Sequence, residues 1–173
     1  MNNYLKNNLL AGLKRSPQHR AMLSISLFIL FALTAMTIGF STNLLVFSSL
    51  DSNLVYVLPF ILFIFPSLFE EIIFRGLLIP NDTGLKGTKN ILKQSIISSS
   101  LFVLWHPFNA LTINPGAQTF FLDPWFLFIV FILGMVCSIG YILSRSLWVP
   151  VIMHWLTVLV WVLFLGGRNL VLQ

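Results

Sequence analysis

Five ionisable residues stand inside apolar stretches of this chain and have the types and spacing of a hydrolytic site. Three are close together in Phe69-Glu70-Glu71-Ile72-Ile73-Phe74-Arg75-Gly76. Two histidines follow, His106 in Phe102-Val103-Leu104-Trp105-His106 and His154 in Val151-Ile152-Met153-His154-Trp155. A charge at the centre of a bilayer-spanning helix costs about 2.5–3.5 kcal/mol on insertion scales, so it is paired or it serves a function. Helix geometry divides the acidic pair. Glu71 and Arg75 are spaced i, i+4 and meet on one face. Glu70 is turned about 100° away from Glu71 and cannot share that pairing equally. A carboxylate left free in a dry bundle suits a general base that takes a proton from water. A salt-bridge network at the membrane rim is the simpler reading. Against it, Glu70 is about 14 Å from the end of its span at 1.5 Å per residue, close to mid-bilayer.

The elements that must hold these groups are helices in lipid. Hydrophobic residues make up 57% of the 173-residue chain and charged residues only 9%, against about 25% charged in soluble domains. Such a chain cannot cover a water-facing surface. Mean hydropathy is +0.92. The net charge of +5 does not indicate nucleic acid, because the basic residues cluster at span ends, where they set topology. Residues 1–20 form a basic cytoplasmic tail with some helix. Residues 21–173 form the transmembrane domain, with spans at Ala21–Phe40, Leu54–Ile79, Ile91–Ile113, Pro124–Leu143 and Leu147–Leu165. Span one is long enough to be retained rather than cleaved as a signal peptide. Pro59 and Pro66 predict a bend in span two, and Pro107 predicts a kink or an end in span three. The serine run Ser98–Ser100 suits close helix packing.

With the N-terminus in the cytoplasm, Lys6, Lys14, Arg15, Arg20, Lys86, Lys89, Lys93 and Arg145 all fall on that side. Arg168 alone falls outside. The fold expected is therefore an all-α polytopic transmembrane bundle of about five spans, N-terminus cytoplasmic. Cys137, the sole cysteine, permits no internal disulfide and no thiolate metal cluster, and reads as a buried core residue. His19, in the tail, reads as solvated.

Together, Glu70-Glu71-x-x-x-Arg75, Phe102-x-x-x-His106 and His154 resemble the CPBP family of intramembrane proteases. That family includes the type II CAAX prenyl endopeptidases and bacteriocin-processing or immunity homologues. The resemblance covers a protease-like core at residues 54–165. It implies an endopeptidase in which Glu70, with His106, activates water to attack a peptide bond of a membrane-associated peptide or protein. His154 stabilises the oxyanion, and Glu71 with Arg75 holds the first motif in place. It also implies an integral protein of a bacterial plasma membrane, whose partners are the lipid bilayer and a peptide substrate. One position departs from the pattern. Where the third motif carries Asn or Asp four residues after its histidine, this chain has Val158, which can neither donate nor accept a hydrogen bond. Asn109, one turn beyond His106, is the candidate substitute, and Thr157 a weaker one. Asn109 also suits a plain helix-capping or loop role. Trp105 and Trp155, each beside a histidine, are expected along the substrate path. Zinc held by Glu70, His106 and His154 is the alternative to a metal-free glutamate mechanism, but no H-E-x-x-H motif is present. The rival from another class is a non-catalytic membrane immunity or scaffold protein. A transporter or proton relay lacks the paired halves such folds show.

Overall fold

The computed structural model describes residues 3–17 and 20–167. His19 and Arg168 lie outside the described residues. The described residues form helices joined by loops, with a single isolated bridge between Ser48 and Leu165 as the only extended pairing among them. The principal helices are α1 (Asn3–Lys14), α2 (Ala21–Ser41), α3 (Leu58–Leu62), α4 (Phe69–Glu71), α5 (Thr88–Thr112), α6 (Gln118–Phe121), α7 (Pro124–Ser144) and α8 (Trp148–Phe164). Two of them, α2 and α7, are long and apolar enough to cross a membrane, and α8 is a shorter apolar helix.

The segment expected as span two is not one helix. Pro59 stands in the first turn of α3, where a missing N–H costs nothing, and bends no helix there. The break comes at Pro66. Phe65 before it is extended (φ −127°, ψ 121°), as pre-proline residues tend to be, and the backbone on either side, Phe63–Leu68, winds as a π-helix. A single α-helical turn, α4, then carries Glu70 and Glu71, and a second π-helical stretch, Ile72–Leu77, carries Arg75. Such wide turns recur at functional sites.

Pro107 does not end its helix, which corrects that half of the expectation. α5 runs on past it to Thr112. Proline removes only its own donor from the ladder, and α5 packs against α7, which holds the helix on course. The helix stops instead before Asn114-Pro115, where Asn114 is forced out of helical geometry (φ −131°, ψ 78°).

The bundle core forms where α5, α7 and α8 meet. α5 turns Ser95, Ser98, Ser99 and Phe102 inward. Gly134 of α7 lies directly against Ser99, and a Cβ there would sit 3.0 Å from the serine Cβ. Ser98 donates to Phe74 O at 2.7 Å, tying α5 to the second π-helical stretch. α2 covers the outside of α7 through Phe31, Leu133, Val136 and Cys137. Cys137 is fully buried.

The two ends of the bundle are distinct. At one end Asn81 donates to Arg145 O (3.1 Å) and to the Tyr141 hydroxyl (3.2 Å), joining the loop after Ile79 to the α7–α8 connection. At the other end the loop after α2 pairs with the end of α8, through Ser48 N–H to Phe164 O and Leu50 N–H to Leu163 O, both 2.9 Å.

Candidate active site

Glu71 is the anchor. It is fully buried, as is Arg75. Arg75 Nη1 donates to Glu71 Oε1 at 2.8 Å, the i, i+4 pair that helix spacing requires. The other end of the guanidinium donates to Gly134 O at 3.1 Å, and its carbon lies 4.5 Å from the centre of the Phe102 ring. The arginine is thus fixed on three sides, by a charge, a carbonyl and an aromatic face.

The same carboxylate oxygen takes a second hydrogen bond. His154 Nδ1–H, from α8, donates to Glu71 Oε1 at 2.9 Å. A carboxylate behind a histidine sets its tautomer and its ring orientation. Nε2 is therefore the nitrogen His154 presents to the site. It faces Glu70 Oε2 at 3.8 Å. That separation is too long for a direct hydrogen bond. Glu70 Oε2 makes no hydrogen bond among the described residues. Its partner oxygen, Oε1, accepts from Trp105 Nε1–H at 2.9 Å. Glu70 is thereby oriented from one side and free on the other.

His106 is oriented by its own helix. Its Nδ1–H donates to Phe102 O at 2.9 Å, which leaves Nε2 as the free nitrogen. Phe102 lies at the centre of the arrangement. Its ring meets His106 edge-on at 5.0 Å, His154 at 5.5 Å and Phe74 at 5.3 Å. One buried ring therefore spaces both histidines and lies beside the arginine.

Glu70, His106 and His154 all open on one cavity of about 1010 Å³, lined mostly by apolar side chains of α2, α3, α7 and α8. Asn109, Thr157 and Val158 also line it. Asn109 Oδ1 is buried without a hydrogen-bond partner among the described residues, whereas the Thr157 hydroxyl is already committed to Met153 O at 2.8 Å. Of the two tryptophans expected along the path, Trp105 lines the cavity and Trp155 does not. Trp155 instead donates to Pro59 O and packs edge-on against Phe63, bracing α8 on α3. As for the alternative zinc set, among the described residues no three His, Cys, Asp or Glu side chains are grouped to hold a metal ion.

Sequence reasoning did not find the Trp105–Glu70 bond, the second role of Glu71, or Phe102 as spacer. The only signal for the last was the fixed interval from Phe102 to His106. The model of the type II CAAX prenyl endopeptidase Rce1-like family matches residues 51–160 of the chain. The chain belongs to that family. The match takes in Glu70, Glu71, Arg75, His106 and His154 and leaves α1 and α2 outside it. No curated protein and no solved structure matches the chain. Family membership implies a CAAX-type, membrane-embedded protease acting on a peptide or protein.

Proposed function

We propose that the chain is a glutamate-dependent intramembrane endopeptidase that hydrolyses a peptide bond of a membrane-associated peptide or protein. One observation carries the reading. Glu70 Oε2 and His154 Nε2 face each other at 3.8 Å, each with its other polar atom already tied down, on a cavity shared with His106. Polar atoms separated by slightly more than a hydrogen bond, beside a cavity, suit a bridging water.

In this mechanism Glu70 takes a proton from the water as its oxygen attacks the carbonyl carbon. The carboxylic acid so formed returns that proton to the departing amine. His106 Nε2, left as an acceptor when Nδ1–H donates to Phe102 O, helps to orient the water. His154, backed by Glu71 through Nδ1, turns Nε2 toward the developing oxyanion and stabilises it. Arg75 holds Glu71 for this task. Asn109 is the residue that stands in for the polar group missing at Val158.

We further propose five spans with the N-terminus cytoplasmic, in a bacterial plasma membrane. α1, the 83–86 turn and the 145–147 connection gather at one end of the bundle through Asn8, Asn81 and Arg145. That gathering supports one side for all the basic segments. Residues 1–20 are then the cytoplasmic segment, and 54–165 the protease core.

Val158 on the cavity wall favours the second reading, a non-catalytic immunity or scaffold protein on the same bundle. The two separate in one experiment. The purified protein is reconstituted into vesicles with membrane-anchored peptides in water enriched in ¹⁸O. The protease yields fragments with ¹⁸O at the new C-terminal carboxylate, and intact peptides support the scaffold.

A further inference from the structure

The N-terminal helix α1 precedes the region matched by the family, yet it is built into the back of the site. Asn8 is its buried polar side chain. The Asn8 amide donates to Gly76 O at 2.9 Å and to Ile79 O at 3.0 Å, and its oxygen accepts from Asn81 N–H at 2.6 Å. Gly76 is at the end of the π-helical stretch that carries Arg75, and Ile79 lies two residues past it, where the regular ladder runs out. Leu9 beside it occupies the space over Gly76. A Cβ on Gly76 would sit 2.8 Å from Leu9 Cδ1, so a larger residue there would push the Leu9 side chain aside.

The other end of α1 is bound to a different arm of the site. Its terminal carbonyls have no partners within the helix, and the residues that begin α8 supply them. Leu147 N–H donates to Gly12 O at 2.9 Å, Trp148 Nε1–H to Leu13 O at 2.9 Å, and the Ser146 hydroxyl to Arg15 O at 2.7 Å. His154 lies six residues past Trp148, about 9 Å along the helix axis. One short helix therefore grips the segment that holds Glu71 and Arg75 and, one helix-turn away, the helix that holds His154.

We infer that α1 is a clamp, and Asn8 a positioning residue, that sets the spacing of the acidic motif and His154. This rests on the protease reading for its kinetic arm alone. Misplacing catalytic groups by about 1 Å can cost about 100-fold in rate. Asn8→Ala should lower kcat about 10–100-fold with KM nearly unchanged. Trp148→Phe, which cuts the bond to Leu13 O, should act in the same direction. Leu58→Ala is the control. It truncates a buried core residue of α3 that packs near the C-terminal end of α8 and does not itself line the cavity. It should lower thermal stability while kcat per folded molecule stays near wild type. Asn8→Ser, whose hydroxyl cannot span two carbonyls, serves where Asn8→Ala does not fold.

A second readout needs no activity. In ¹⁵N-histidine NMR of the full chain in detergent, His154 should show a hydrogen-bonded Nδ1–H. That signal should shift or broaden in Asn8→Ala and persist in Leu58→Ala. An unmoved His154 signal in Asn8→Ala overturns the clamp. So does a loss of kcat in the Asn8 and Leu58 variants that simply follows their loss of melting temperature. If the wild type cleaves nothing, the protease reading fails, and the NMR arm still decides the clamp.

Discussion

Replacing Glu71 by Gln separates what the carboxylate does for the fold from what it does for the site. Glu71 Oε1 accepts from both Arg75 and His154, and Oε2 has no partner among the described residues. Glutamine can therefore keep the shape and the accepting oxygen, with its amide nitrogen in the place of Oε2. Only the charge is lost. Arg75, fully buried, then keeps a guanidinium with no counter-charge beside it. Removing one partner of a buried pair costs about 3–5 kcal/mol. For a chain of this size about 2–4 °C of melting temperature goes with each kcal/mol, so the midpoint should fall by about 6–20 °C. Adding Arg75→Met removes the orphaned charge, and most of that loss should return, since apolar replacements of buried pairs are often neutral or better. Activity should not return with it. His154 still lacks its carboxylate, and loss of such a backing group costs about 10–100-fold. Thermal unfolding in detergent and peptide cleavage, run on both variants, read the two effects apart. A single variant as stable as wild type, or a double variant as unstable as the single, would refute the assignment of Arg75 and Glu71 as a buried pair. Restored cleavage in the double variant would refute the role given to Glu71 behind His154.

Three other predictions follow from the same geometry. Trp105→Phe keeps a ring against the cavity and removes the donor to Glu70 Oε1. A hydrogen bond to a charged group is worth about 1.5–3 kcal/mol, so kcat should drop about 10–100-fold with little change in melting. Gly134→Ala places a methyl 3.0 Å from the Ser99 Cβ and forces α5 and α7 apart. Overpacking of about 1–3 kcal/mol should appear as a lower melting midpoint and, through the displaced Gly134 O, as weaker activity. For topology, a cysteine at Lys86 should react with a membrane-impermeant maleimide from the cytoplasmic side only, and one at Asp51 from the opposite side only. Both positions are exposed, and the native Cys137 is buried.

Features carried by neighbours in sequence could be read in advance. The ends of α2, α7 and α8 fall within a residue or two of where basic residues, prolines and glycines bound the apolar runs. The Glu71–Arg75 pair needs only helical periodicity. Contacts across long sequence separations could not be read this way. Trp105 reaches Glu70 across 35 residues and His154 reaches Glu71 across 83, and only the packing of α5 and α8 on the motif segment brings them together. The docking of Asn8, 68 residues from Gly76, is hidden for the same reason. Proline chemistry was legible in kind but not in place. Pro59 falls in a first turn and Pro107 in a helix that α7 holds, so the break fell to Pro66.

The central claim is that Glu70 is the base. It is tested most directly by the cleavage rate of Glu70→Gln beside wild type, on one membrane-anchored peptide in vesicles, with the melting midpoint measured on the same samples. Glutamine keeps an oxygen for the Trp105 bond but cannot take a proton from water. The account predicts a folded protein whose cleavage falls by about 10²–10⁴-fold, the contribution of general base catalysis. A folded Glu70→Gln protein that cleaves at the wild-type rate would contradict it.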